Sequence, residues 1–112
     1  MVLLALLVGT APALAHAIVI DSTPAAGGTV TGPDLLIELR FNSRIDHERS
    51  RLTLYLPDGR TRSLAQVPDA APDVVAARAA GLTPGAYRLR WQVLAVDGHI
   101  TRGDVPFQVV AP

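Results

Sequence analysis

The chain has 112 residues, and its 10 Lys+Arg balance 10 Asp+Glu. That length suits one domain, and the basic residues, all arginine and scattered from Arg40 to Arg102, form no patch for a nucleic acid or an anionic membrane surface. With no cysteine, the fold must be held by packing, sheet hydrogen bonds or a metal rather than by disulfides.

In chain order, the first feature is an apolar leader. Residues Met1 to Ala15, MVLLALLVGTAPALA, carry no charge and end in Ala13-Leu14-Ala15, which reads as a secretory signal peptide with an A-x-A cleavage site. The run is interrupted at Gly9, Thr10 and Pro12 and is shorter than the roughly 20 apolar residues that span a bilayer. No Lys or Arg precedes it, so the basic part of the pattern is very short or starts upstream. Cleavage after Ala15 leaves residues 16–112 as a 97-residue domain that begins with His16 and resides in the periplasm or outside the cell. No second spanning segment follows, so no membrane insertion of the mature domain is expected.

Beyond His16 the apolar period is two, the spacing of half-buried strands. Ile18 and Ile20 begin a short run. Leu35, Ile37, Leu39 and Phe41 form the first full one, followed by Leu52, Leu54 and Leu56, by Tyr87, Leu89, Trp91 and Val93, and by Val105, Phe107 and Val109. Turn signals separate them at Pro24 to Gly28, Thr31 to Asp34, Pro57-Asp58-Gly59 and Thr83-Pro84-Gly85. Weaker strands at Arg60 to Ala65 and Asp73 to Arg78 bring the count to about seven. The stretch Val67 to Leu82 has alanines that suit a helix, but Pro68, Pro72 and Val74-Val75 favour strand or irregular structure. Pro106, inside the last run, places its missing N–H at an edge or a bulge. The pattern is that of an all-β, antiparallel sandwich or barrel of the immunoglobulin-like kind, with a cupredoxin-like topology as the alternative.

Three histidines carry the candidate chemistry. A mature N-terminal His16 offers its α-amine and imidazole Nδ1 to one metal ion as a six-membered chelate. His99 and Asp97, in Asp97-Gly98-His99 after the long strand from Gly85 to Ala95, complete an N3O set suited to Cu(II). Side chains two apart share a side of an extended segment, and Gly98 lets the backbone bend. Alone, Asp-Gly-His is weak, because Asp-Gly is a common hairpin signal. His47, among Asp46, Glu48 and Arg49, reads as a polar loop residue. Trp91 reads as core, Arg40, Arg88 and Arg90 as a solvated sheet face, and Asp21 and Asp104 as structural or surface residues.

Several segments together resemble the CopC family of periplasmic copper-binding proteins. They are His16-Ala17 after the Ala-x-Ala site, Ser22 to Gly27, Leu39-Arg40-Phe41-Asn42, Leu82 to Tyr87, Trp91 to His99 and Gly103 to Phe107. The resemblance implies a seven-stranded Greek-key β-sandwich over residues 16–112. It also implies a Cu(II) site at His16, Asp97 and His99. Some members carry a methionine-rich Cu(I) site, but the sole methionine here is Met1, so no such site is expected. The resulting expectation is an exported monomer that binds one Cu(II) without turnover. It would buffer copper, or deliver it to an inner-membrane copper transport protein, in copper homeostasis or resistance. Two other classes remain open: a copper oxidase or monooxygenase with a histidine brace, and an immunoglobulin-like interaction module without metal. The five aromatic residues, mostly assigned to the core, leave little surface for stacking on a polysaccharide.

Overall fold

Eight strands form within residues 17–112, the part of the chain that this computed structural model describes; the leader and His16 lie outside it. The strands are β1 (Val19–Thr23), β2 (Gly28–Thr31), β3 (Leu35–Phe41), β4 (Ile45–Tyr55), β5 (Thr61–Leu64), β6 (Val74–Ala79), β7 (Gly85–Ala95) and β8 (Ile100–Val110). They make a three-stranded sheet, β1-β3-β6, and a five-stranded sheet, β2-β8-β7-β4-β5. Strands distant in sequence lie side by side, as in a Greek-key sandwich. Among the described residues no helix is long and apolar enough to cross a membrane.

Period two works because alternate side chains leave opposite faces of a strand. Ile37, Leu39 and Phe41 of β3 are at most 1% exposed, and Tyr87, Leu89, Trp91 and Val93 of β7 and Val105, Phe107 and Val109 of β8 face the same core. The proposed helix competitor is resolved as strand: β6 pairs antiparallel with β3, and Val67 N–H reaches the Ala76 carbonyl on its other side. Pro106 stands opposite Arg88, and its carbonyl accepts from Gly27. The proline nitrogen therefore faces the β2 side just before the β2–β8 register begins at Gly28 and Phe107, where no ladder donor is required.

Two features differ from the alternation. β2 is an additional strand within what reads as turn sequence; it pairs parallel with β8, whereas the other strand pairs are antiparallel. At the start of β1 the isoleucines point outward, with Ile18, just before the strand, 57% and Ile20 50% exposed, while Ala17 is 3% exposed and Val19 packs on the core. The register of β1 on β3 slips between Val19 and Asp21, which leaves Ile20 as a bulged residue opposite no partner.

The end of the sandwich remote from the β7–β8 turn is tied by a tyrosine. Tyr87 O–H donates to the Thr83 carbonyl at 2.7 Å, an arrangement like the tyrosine corner of immunoglobulin domains. Its ring stacks on Phe107 with centroids 5.6 Å apart. Nearer the turn, Trp91 meets Phe41 edge to face at 5.2 Å and lies over Gly103, its register partner on β8. A Cβ at position 103 would stand 2.4 Å from Trp91 Cζ2. Gly103→Ala is therefore expected to cost about 1–3 kcal/mol by overpacking. Urea unfolding followed by the fluorescence of Trp91 measures it, and an unchanged midpoint would contradict this packing.

Candidate metal centre

β7 and β8 run antiparallel to the pair Leu94 and Ile100, and residues between them must reverse the chain in very few steps. Ala95 N–H donates to the His99 carbonyl at 2.8 Å, and Gly98 N–H donates to the Ala95 carbonyl at 2.9 Å. Gly98 has φ 92°, in the left-handed region that favours glycine. Asp97 Oδ1 accepts from the His99 backbone N–H at 3.1 Å, so the carboxylate caps its own turn. Its Oδ2 lies 3.1 Å from His99 Nδ1. A carboxylate only accepts, so Nδ1 carries the proton in this pair and the ring lone pair is on Nε2, the nitrogen suited to a metal.

The two expected ligands of the turn are thus held against each other by the local chain, both partly solvent-exposed. The His99 backbone N–H is the largest influence on Asp97 and holds its carboxyl below the ordinary 3.8; desolvation opposes it, and the His99 side chain adds a smaller lowering. An ionised carboxylate and an imidazole held side by side form a donor pair for a divalent cation. Among the described residues, no group of three or more His, Asp or Glu side chains is placed to hold a metal ion. A site here needs donors from elsewhere.

The chain next to His16 runs to this place. Ala17, buried in the core, gives its carbonyl to Thr101 Oγ1 at 3.1 Å. Thr101 is two residues beyond His99, and residues at that spacing share a side of an extended chain. Ile18 N–H donates to Asn42 Oδ1 at 2.8 Å, and Asn42 N–H donates to the Ile18 carbonyl at 3.0 Å. His16 itself lies outside the described residues. No motif marks Thr101; its place two residues after His99 is the only sequence signal it carries.

His47 is not a solvated loop residue. It lies in β4, where the register against β7 slips between Asp46 and Arg51, and its Nε2 donates to the Val74 carbonyl of the other sheet at 2.6 Å. The bulge is pinned further by Gln66 Nε2, which donates to the carbonyls of His47 and Ser50, both at 2.8 Å. Its role is to join the sheets. Asp104 pairs with Arg88 at 3.2 Å and lies 3.7 Å from Arg90, while Asp21 shares a small surface hollow with Glu38 and Arg40. These are surface residues, as their sequence positions imply.

The fold and this turn define an all-β sandwich with a carboxylate and an imidazole presented at the end of its longest hairpin, beside the start of the first strand. The CopC domain model matches residues 19–110, and the chain belongs to that family. Protein YobA of Escherichia coli K12 is 30% identical over 98 residues, covering 85% of this chain and 79% of YobA. The crystal structure of CopC from Methylosinus trichosporium OB3b superposes with TM-score 0.76 at 26% identity, covering 86% of this chain and 95% of that one. PcoC, a methionine-rich copper resistance protein from Escherichia coli, superposes with TM-score 0.69 at 26% identity, over 86% of this chain and all of PcoC.

The Asp97 bonds make the turn pH-dependent. Because the folded carboxyl titrates below its ordinary value, its stabilising contribution is complete above that value and is lost as pH falls through the folded one. A carbon-detected NMR titration of the metal-free protein is expected to give Asp97 a midpoint below 3.8. A midpoint at or above it would contradict the capping role.

Proposed function

We propose that residues 16–112 form an exported copper-binding protein that takes up one Cu(II) through the α-amine and imidazole of His16, the imidazole of His99 and the carboxylate of Asp97. It acts by binding rather than by turnover. The observation that carries this reading is the bond from Thr101 Oγ1 to the Ala17 carbonyl, which ties the chain immediately after His16 to the strand that leaves the Asp97-Gly98-His99 turn. Membership of the CopC family and the likeness to a copper resistance protein support copper as the cargo. The donor set supports Cu(II): three nitrogens and one carboxylate oxygen suit a tetragonal ion, and no methionine follows Met1 to supply the thioethers that favour Cu(I).

The metal chemistry itself belongs to the ion, which accepts lone pairs from deprotonated donors. The chain's own part is to bring an amine, two imidazoles and a carboxylate together in the right protonation state. Asp97 is already ionised and bonded to His99. The leader Met1–Ala15 directs the protein to the periplasm, and cleavage after Ala15 creates the amine on which the site depends. There the protein buffers copper as a monomer, or delivers it to an inner-membrane copper transport protein.

Titration of the mature chain with Cu(II) against a competing chelator tests this reading. One equivalent is expected to bind. His99→Ala, or one extra residue ahead of His16, should weaken binding by more than the about 10- to 100-fold that loss of an outer-shell partner costs. Affinity should fall as pH drops from about 7 to 5, because amine and imidazole nitrogens bind a metal only when deprotonated and must release protons to bind. Full affinity in the extended chain would overturn the amine as a ligand.

A further inference from the structure

The chain enters the fold at a point held from both sheets. Thr101, on β8 of the five-stranded sheet, donates to the Ala17 carbonyl, and Asn42, at the end of β3 in the three-stranded sheet, brackets Ile18 with its side-chain oxygen and its backbone N–H. The regular β1–β3 pairing ends at Val19 and Phe41. Asn42 Oδ1 therefore takes the acceptor position that a backbone carbonyl would fill in a longer ladder, and extends the pairing by one residue toward the terminus. Between the two bonds, the Ala17 side chain is packed in the core. First residues of domains fray unless they are tied down in this way.

We infer that Asn42 and Thr101 are positioning residues for the copper site: they fix the peptide between Ala17 and Ile18, so that the chain enters the fold at one set point on the strand that follows His99. The inference rests on the His16, Asp97 and His99 reading. Neither residue supplies a metal ligand; both act through the backbone. Their side chains are an amide and a hydroxyl, which keep the same charge across the pH range in which the amine and imidazoles lose protons. A terminus ordered before the metal arrives does not have to be ordered by it. Freezing the backbone of one residue corresponds to about five- to thirtyfold in a binding constant.

The test uses the mature chain beginning at His16, with two readouts: Cu(II) affinity by chelator competition, and hydrogen exchange of the Ile18 amide in the metal-free protein. Thr101→Val removes the hydroxyl at nearly constant volume and Thr101→Ser keeps it. Asn42→Ala removes the acceptor and Asn42→Asp retains one. Thr101→Val and Asn42→Ala are each expected to lose about five- to thirtyfold in copper affinity. The Ile18 amide should exchange faster in both while the Leu89 amide of the core is unaffected, which separates local fraying from global unfolding. Thr101→Ser and Asn42→Asp should restore both readouts. If Thr101→Val and Asn42→Ala bind copper like the parent while His99→Ala does not, the positioning inference is overturned and the site stands. If His99→Ala also retains full affinity, the site reading fails and this inference with it.

Discussion

The hydrogen bond between Thr101 and Ala17 joins residues 84 apart in sequence, and the placement of the candidate site depends on it. Together with the two bonds between Asn42 and Ile18, it holds the chain at Ala17 against the strand that leaves the Asp97-Gly98-His99 turn. Around it, the sandwich supplies the rest. Trp91, Phe41 and Gly103 pack closely beneath the hairpin, and the ladder from Gly85 and Val109 up to Leu94 and Ile100 carries the turn on a continuous pair of strands. A rigid sheet is a better support for a metal site than a mobile loop, because small displacements of a ligand are costly to binding.

Local and global forces agree at the turn. Gly98 accepts the left-handed backbone, Asp97 caps the following N–H, and the same carboxylate holds the His99 ring. Each of these bonds also serves the proposed copper chemistry, since a depressed carboxyl pKa keeps Asp97 anionic and a proton on His99 Nδ1 leaves the lone pair on Nε2. The turn does not form a complete site among the described residues.

Most of the sandwich was legible because alternating apolar residues mark a strand that buries one face. β3, β7 and β8 have that pattern over their whole cores, and Asp97-Gly98-His99 was legible because glycine and the short carboxylate announce the turn. β2 was not, since it has four residues, one apolar, and is flanked by proline and glycine signals that read as turn. Ile18 and Ile20 misled because size suggested burial, whereas the bulge at Ile20 turns the large side chains outward and lets small Ala17 face the core. His47 lacked any local signal for its role: its partner, the Val74 carbonyl, is 27 residues away on the other sheet. The bonds of Thr101 and Asn42 were hidden for the same reason, since hydroxyl and amide groups find distant partners only once the core has set the sheets together.

Paramagnetic NMR of the chain beginning at His16, with a substoichiometric amount of Cu(II), locates the ion directly. Bound Cu(II) erases signals near it. With the ion at the proposed site, the amides of Ala17, Ile18 and residues 97–101 are lost together, with those of His47 and Gln66 retained. Loss centred on His47 and Gln66, with the turn and the first strand untouched, would contradict it.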